Sequence, residues 1–261
     1  MRPKTPCLLL QAIQFVYNCS FRRLRIDSPP VFIVGCGHSG TSILLRMLGA
    51  HSRIHAIPYE SGLSQHPHPQ LLRRSFNMQA VAAGKRRWVE KTPSHIHHIR
   101  RLLEIEPLSK IILIMRDGRD VVCSIQAREG TIESGMSRWL EDNRAGEEFW
   151  HHPSLHLLRY ENLVESPEVT LKLALTFLAE NYEPGMLDYH QRSMSLYSNK
   201  KDRPPNAFGI NHEAYRNWQI NQPLFDGRGR WKRLTESEKR LVKSGIGDTL
   251  IKYGYVKDAE W

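Results

Sequence analysis

The sequence predicts an α/β fold, a doubly wound parallel sheet with helices on both faces. Two unbroken apolar runs carry that expectation, Val31-Phe32-Ile33-Val34 and Lys110 to Met115 (KIILIM). Strands covered on both faces lose the in–out alternation of half-exposed ones. Helix-period segments alternate with these and with shorter strand-like runs, as βα units require. The first run also feeds a glycine-rich loop that opens straight into a helix.

Ser28-Pro29-Pro30 punctuates the start of the domain. Beyond the glycine loop, Thr41 to Ala50 reads as a helix with Ile43, Leu44, Met47 and Leu48 on one face, and Gly49 is placed to end it. Arg53 to Ile57 reads as a short strand stopped by Pro58. After the loop His66-Pro67-His68-Pro69, a helix is expected from Gln70 to about Ala82, then a strand at Arg87–Glu90. Thr92 and Pro93 have the types of an N-cap and a first helical position. Helices are expected at Gly118–Gln126 and Ser134–Phe149, and a last strand at Leu155–Leu158. Further helices are expected at Pro167–Glu180 and Thr235–Tyr253. Met186 to Arg233 is rich in Pro, Asn, Gly and Arg, and reads as loop covering a site.

The 261 residues suit a single α/β domain over 29–261, preceded by a helical extension over 1–28. Hydrophobic residues make up 40% of the chain and the mean hydropathy is −0.48, which excludes a polytopic membrane protein and wholesale disorder. The 37 Lys and Arg against 27 Asp and Glu give a net charge of +10, so the expected partner is an anion. No aromatic-interleaved nucleic-acid motif accompanies that charge, and no nucleic-acid partner is expected. Cys7, Cys19, Cys36 and Cys123 show no CxxC spacing, which argues against a disulfide scaffold or zinc and for a reducing, cytoplasmic setting. Cys7 to Tyr17 is apolar over only eleven residues, too short to span a bilayer. It reads as an amphipathic helix lying on the domain, with weak contact to a membrane surface as the lesser alternative. Asn18-Cys19-Ser20 fits a glycosylation sequon, a match common by chance.

Strand, glycine loop and helix together form a P-loop-like arrangement, in which backbone N–H groups at the helix N-terminus face an anion. Gly35 and Gly40 have Walker A spacing, followed by Thr41 and Ser42, but Thr41 stands where that motif carries Lys. The lysine that reaches the β/γ-phosphates is missing, which counts against a nucleoside triphosphatase. The alternative is an ordinary tight strand-to-helix turn. His38, inside the loop, reads either as a donor beside a phosphate's bridging oxygen or as a packed loop histidine.

Arg116-Asp117-Gly118-Arg119-Asp120 follows the KIILIM strand. In an open α/β sheet this places Arg116 at the same rim as the glycine loop. Ser124 and Arg128 are four residues apart, on one helix face. Arg116, Ser124 and Arg128 read as a second phosphate site. The alternative is a solvated turn in which Asp117 and Asp120 satisfy the arginines locally. Both sites together imply one ligand with two separate anionic groups.

PPVFIVGCGHSGTSILLRMLGAH followed by RDGRDVVCSIQAR resembles the 5′-phosphosulfate loop and 3′-phosphate motif of sulfotransferases, of the tyrosylprotein-sulfotransferase-like branch and its bacterial relatives. The likeness covers Val31 to Glu180, with a weaker echo at Arg228-Gly229-Arg230-Trp231-Lys232. It implies a hydroxyl-directed sulfuryl transfer from 3′-phosphoadenosine-5′-phosphosulfate, without a metal, to a carbohydrate, peptide or small-molecule acceptor. Gly37, His38, Ser39, Gly40, Thr41 and Ser42 would hold the 5′-phosphosulfate. Arg116, Ser124 and Arg128 match the 3′-phosphate ligands, Tyr160 in Leu158-Arg159-Tyr160-Glu161-Asn162-Leu163 a cofactor-side tyrosine, and Arg228 the late loop over the nucleotide. The resemblance makes Glu60 the base and Lys91 a ligand of the transferring sulfonate, with Glu90 as the alternate base. His38 departs from the family, which carries Lys or Arg there, and makes leaving-group stabilisation depend on pH or fall more on Lys91. His95 and His98 would share a helix face, but no acidic or thiol partner is spaced to complete a metal shell, and a solvated histidine-rich face is expected. A P-loop kinase-like enzyme and a non-catalytic binder of nucleotide or acidic polymer are the competing readings. The sequence does not specify an oligomeric state.

Overall fold

In the computed structural model, which describes residues 26–128, 130–195 and 217–261, five parallel strands form one sheet. They are β1 (Val31–Val34), β2 (Ile54–Ala56), β3 (Arg87–Lys91), β4 (Lys110–Met115) and β5 (Leu155–Arg159). Their order is β2-β3-β1-β4-β5, and Ile33 of β1 pairs with Lys91 on one side and Ile112 on the other. The helices are α1 (Thr41–Gly49), α2 (Pro69–Ala82), α3 (Ile99–Ile105), α4 (Gly118–Gln126), α5 (Ile132–Glu147), α6 (Tyr160–Glu165), α7 (Pro167–Phe177) and α8 (Glu236–Lys252).

The pleat of the two apolar runs divides the core. Phe32 and Val34 join Trp88, Ile111 and Leu113 on one face, under side chains of α2, α3, α4, α5 and α8. Val31 and Ile33 join Val89, Ile112 and Ile114 on the other, under α1, α6 and α7. With apolar cover on both sides, neither run has a reason to alternate. The chain leaves β1 toward β2 and leaves β4 toward β5, so the order reverses between these neighbours. Their carboxyl ends therefore border the crevice where open α/β sheets bind ligands.

Several local expectations are corrected. The second strand spans only Ile54–Ala56. Gly49 lies inside the last turn of α1 rather than beyond it, and a Cβ there would come within 2.6 Å of Ala56 Cβ, so it permits close approach to β2. Thr92 does not cap by its side chain, because its hydroxyl oxygen accepts from the Ser61 and Gly62 N–H groups instead, while its hydrogen goes to Glu90. The segment it opens is a 3₁₀ turn, Pro93–His98, before α3 begins. There His95 is buried rather than solvated. α5 starts at Ile132, with Thr131 and Ser134 in a reciprocal capping box. The expected helix at Cys7–Tyr17 and the sequon at Asn18 lie outside the described residues. Among the described residues no helix is long and apolar enough to cross a membrane.

Candidate active site

The glycine loop leaves β1 pressed against β4. A Cβ at Gly35 would collide with the Ile114 carbonyl, and one at Gly40 would come within 2.6 Å of the Tyr160 ring. Gly40 and His38 both adopt left-handed backbone, with φ of 94° and 69°. Gly40 is the N-cap of α1 and offers no side-chain cap. The first N–H groups of the helix, at Thr41 to Ile43, are therefore left to an anion or to solvent. Ser39 Oγ is buried there without a hydrogen-bond partner.

β4 delivers Arg116 to the same mouth. Its guanidinium donates to the His38 carbonyl at 2.9 Å and to the Gly227 carbonyl, and lies 4.4 Å from the centre of the Tyr160 ring. Its Nε is buried with no partner. The neighbouring carboxylates do not take it. Asp117 forms a two-point pair with Arg119, and Asp120 accepts from the Gly229 and Trp231 N–H groups at 2.9 and 3.2 Å. Ser124 on α4 and Arg128 just past it converge, as their spacing predicts. Ser124 Oγ and Arg128 Nη1 lie 3.2 and 3.1 Å from His38 Nδ1.

One cavity joins these groups. Its lining includes Gly40, Thr41 and Ser42 from the helix start, Arg116, Ser124 and Arg128 from the β4–α4 side, and His38, Tyr160 and Arg230. Gln219, Ile220, Leu224 and Phe225, from the segment read as cover, complete the lining. Among the described residues that lining carries three arginines and no carboxylate. Burial pushes the Tyr160 phenol above its ordinary value, so it stays neutral. Gly37 and Ser39 sit in the loop but do not line the cavity. Arg228 does not line this cavity; it is exposed, pairs with Asp226 and Glu165, and lines an adjoining cavity that shares Ser124, Arg128 and Arg230. From that turn it is Arg230 that faces the cavity.

On the β3 side of the loop, Lys91 is buried and its ammonium lies 2.5 Å from Glu60 Oε1. The adjoining Glu90 is fully buried. Its Oε1 accepts from the Ser61 N–H at 3.0 Å, the Ser61 hydroxyl at 2.8 Å and the Thr92 hydroxyl at 2.5 Å. His95 Nδ1 lies 3.3 Å from its other oxygen. Burial works to raise its pKa, but His95, Thr92 and Ser61 outweigh burial and hold it below the usual carboxylate range. A carboxylate so enclosed anchors the loop that carries Glu60 and is closed to an acceptor. Glu90, the alternate base of the sequence reading, is thus a structural anion. His98 faces Gln65 instead of a metal-type ligand.

Residues 61–184 match the model of the sulfotransferase family. That match places this segment in the sulfotransferase family. β1 and the glycine loop precede the matched stretch, while Lys91, Arg116, Ser124, Arg128 and Tyr160 fall inside it. An uncharacterised protein of Aquifex aeolicus is 26% identical over 235 residues, 73% of this chain; the chain spans 30% of that relative's length. Solved sulfotransferase structures share the fold. The sulfotransferase domain of the curacin biosynthetic pathway is 19% identical with a TM-score of 0.53, over 84% of this chain and 98% of its own. Mouse sulfotransferase SULT7A1, complexed with PAP, is 15% identical with a TM-score of 0.52, over 85% and 84%.

Proposed function

We propose that this protein moves a sulfuryl group from 3′-phosphoadenosine-5′-phosphosulfate to an acceptor hydroxyl. The observation that carries the reading is one cavity lined both by the glycine-loop helix start and by Arg116, Ser124 and Arg128, with, among the described residues, no carboxylate in its lining. A nucleotide phosphorylated at both the 3′ and 5′ positions needs two such donor sets in one cleft. The buried, unpartnered Arg116 Nε, in a residue that lines the cavity, fits a ligand that supplies acceptors. The structural neighbour SULT7A1, complexed with PAP, supports the same nucleotide class. Thr41 in place of the Walker lysine speaks against a nucleoside triphosphate.

Glu60 is assigned the acceptor proton. Its ion pair with Lys91 presents it as a carboxylate, the form that accepts. As the acceptor oxygen bonds to sulfur, the bond from sulfur to the 5′-phosphate oxygen breaks and the proton passes to Glu60. Negative charge then grows on the leaving phosphate. In this reading Lys91, the N–H groups of the loop and helix start, and the Thr41 and Ser42 hydroxyls stabilise it.

Thermal unfolding tests the donor. A ligand that binds only the folded state stabilises it by about 2.7 kcal/mol at 100 times its Kd. Adenosine 3′,5′-bisphosphate is expected to raise Tm, and Mg-ATP to leave it nearly unchanged. The opposite pattern overturns the reading. Transfer of labelled sulfate to a panel of sugars, peptides and alcohols then identifies the acceptor.

A further inference from the structure

Beyond the clamp of Arg116, Ser124 and Arg128, the adjoining cavity is a groove of about 630 Å³. It runs between the end of α4 and the late turn that leads into α8. Ser124, Arg128 and Arg230 belong to the linings of both spaces. A phosphate held at Ser124 and Arg128 therefore borders the groove, and a substituent on that phosphate has a way out into it.

The chemistry of the lining says what substituent fits. Arg128, Arg228, Arg230 and Arg233 face the groove against two carboxylates, Asp226 and Glu238. Both acids are engaged locally. Asp226 forms a two-point pair with Arg228. Glu238 accepts from the Gln126 amide at 3.0 Å and from the Thr235 N–H at 2.8 Å. Neither acid pairs with Arg230 or Arg233. Among the described residues the lining has no aromatic ring. A second nucleoside would want a ring to stack on, whereas a phosphate wants guanidinium donors.

We propose that the groove receives the terminal phosphate of a ribonucleotide that carries a diphosphate at its 3′ position. The proposal rests on the donor reading, which seats a 3′-phosphate in the clamp. Such a nucleotide keeps both ends that the donor uses, and its added phosphate passes the shared wall to meet Arg230 and Arg233. It excludes the donor from the same cavity and so inhibits transfer. No bond is made or broken.

Calorimetry with three nucleotides tests it on the wild type and on Arg233→Ala, a residue that lines the groove and not the donor cavity. The nucleotides are adenosine 3′,5′-bisphosphate, adenosine 5′-phosphate 3′-diphosphate and its isomer adenosine 3′-phosphate 5′-diphosphate. The wild type is expected to bind the 3′-diphosphate about tenfold tighter than the bisphosphate, as one charge-assisted contact at a partly solvated site gives. Arg233→Ala is expected to lose most of that gain and to leave the other two affinities unchanged. The isomer has the same phosphates at the opposite end, so equal weakening of both diphosphates reveals only a general field and overturns the groove site. No gain from the 3′-diphosphate in the wild type also overturns it, and so does a gain that survives Arg233→Ala. Inorganic pyrophosphate binding the bisphosphate complex as tightly as the 3′-diphosphate binds the free protein assigns the groove to a free anion and overturns the proposal. Each of these results leaves the donor reading standing. No binding of the bisphosphate to the wild type overturns both.

Discussion

Lys91 Nζ lies 2.5 Å from Glu60 Oε1, yet the two side chains differ in freedom: that of Lys91 is 1% exposed and that of Glu60 35%. β3 fixes the cation, while the loop beyond β2 presents the carboxylate to the outside. Glu60→Gln keeps the shape and removes the proton acceptor. Turnover is expected to fall about 10²- to 10⁴-fold, the usual contribution of a positioned base, with bisphosphate affinity unchanged. Initial rates and calorimetry on one preparation check both halves. Undiminished turnover removes Glu60 from the chemistry.

Arg116 has two tasks that a single substitution exposes together. It offers a fork to the nucleotide, and it binds the carbonyls of His38 and Gly227. Loss of a charge-assisted contact costs about 1.5–3 kcal/mol, so Arg116→Ala is expected to weaken bisphosphate binding roughly 10- to 150-fold. The same change is expected to lower Tm in the absence of nucleotide, since two carbonyls lose their donor. Arg116→Lys retains charge without the planar fork and is expected to fall between. Unchanged affinity in Arg116→Ala excludes this residue from the anion site.

What could be read in the sequence was what depends on near neighbours along the chain. The runs 31–34 and 110–115 marked the central strands because burial on both faces removes alternation. Ser124 and Arg128 were legible as a pair because helical spacing alone aligns them. The start of α5 was misplaced because Thr131 and Ser134 cap each other, and either fits a first-turn position. That Arg230 rather than Arg228 lines this cavity was not legible, because the turn is held by Asp120, more than a hundred residues away, which accepts from Gly229 and Trp231. Glu90 looked like a spare base because nothing local shows that Ser61, Thr92 and His95 enclose it. The turn of the His38 ring into the clamp likewise depends on a long-range meeting with α4.

Gly40 carries a steric requirement as well as a conformational one. Its φ is 94°, and a Cβ would come within 2.6 Å of Tyr160 Cδ2. Left-handed backbone costs a residue with a Cβ about 1–2 kcal/mol, and the ring contact adds to it. Gly40→Ala is expected to lower Tm and to abolish bisphosphate binding by shifting the start of α1. Tyr160→Leu introduced alongside it is expected to restore part of the Tm and little of the binding. Wild-type affinity in Gly40→Ala shows that the loop geometry is not used.

Glu90 ties stability to pH. Its carboxyl is held below the usual range in the folded protein, so across the acid region the unfolded chain binds more protons and stability rises with pH. The contribution is fully present above the unfolded value, about 4.3, and is lost as pH falls through the folded one. Denaturant melts of the wild type are therefore expected to weaken steeply below about pH 4.3. Glu90→Gln is expected to be less stable at pH 7 and to show a shallower acid limb. Parallel acid limbs in the two proteins rule out Glu90 as the linked group.

The turn that brings Arg230 to the cavity is held from α4. Asp120 binds two of its N–H groups. Arg119, fixed by Asp117, lies 4.2 Å from the Trp231 ring centre and 4.7 Å from that of Trp261. Both anchors belong to the helix whose far end supplies Ser124, so the turn and the clamp are positioned by one element. Asp120→Ala removes both acceptors while leaving the cavity lining intact. If the turn retains bound nucleotide, dissociation of adenosine 3′,5′-bisphosphate is expected to speed up about tenfold, for roughly 1.4 kcal/mol of lost contact, with association little changed. Asp120→Asn keeps one accepting oxygen and is expected to lie between the two. Stopped-flow displacement measures these rates, and an unaltered dissociation rate in Asp120→Ala would show that the turn does not retain the nucleotide.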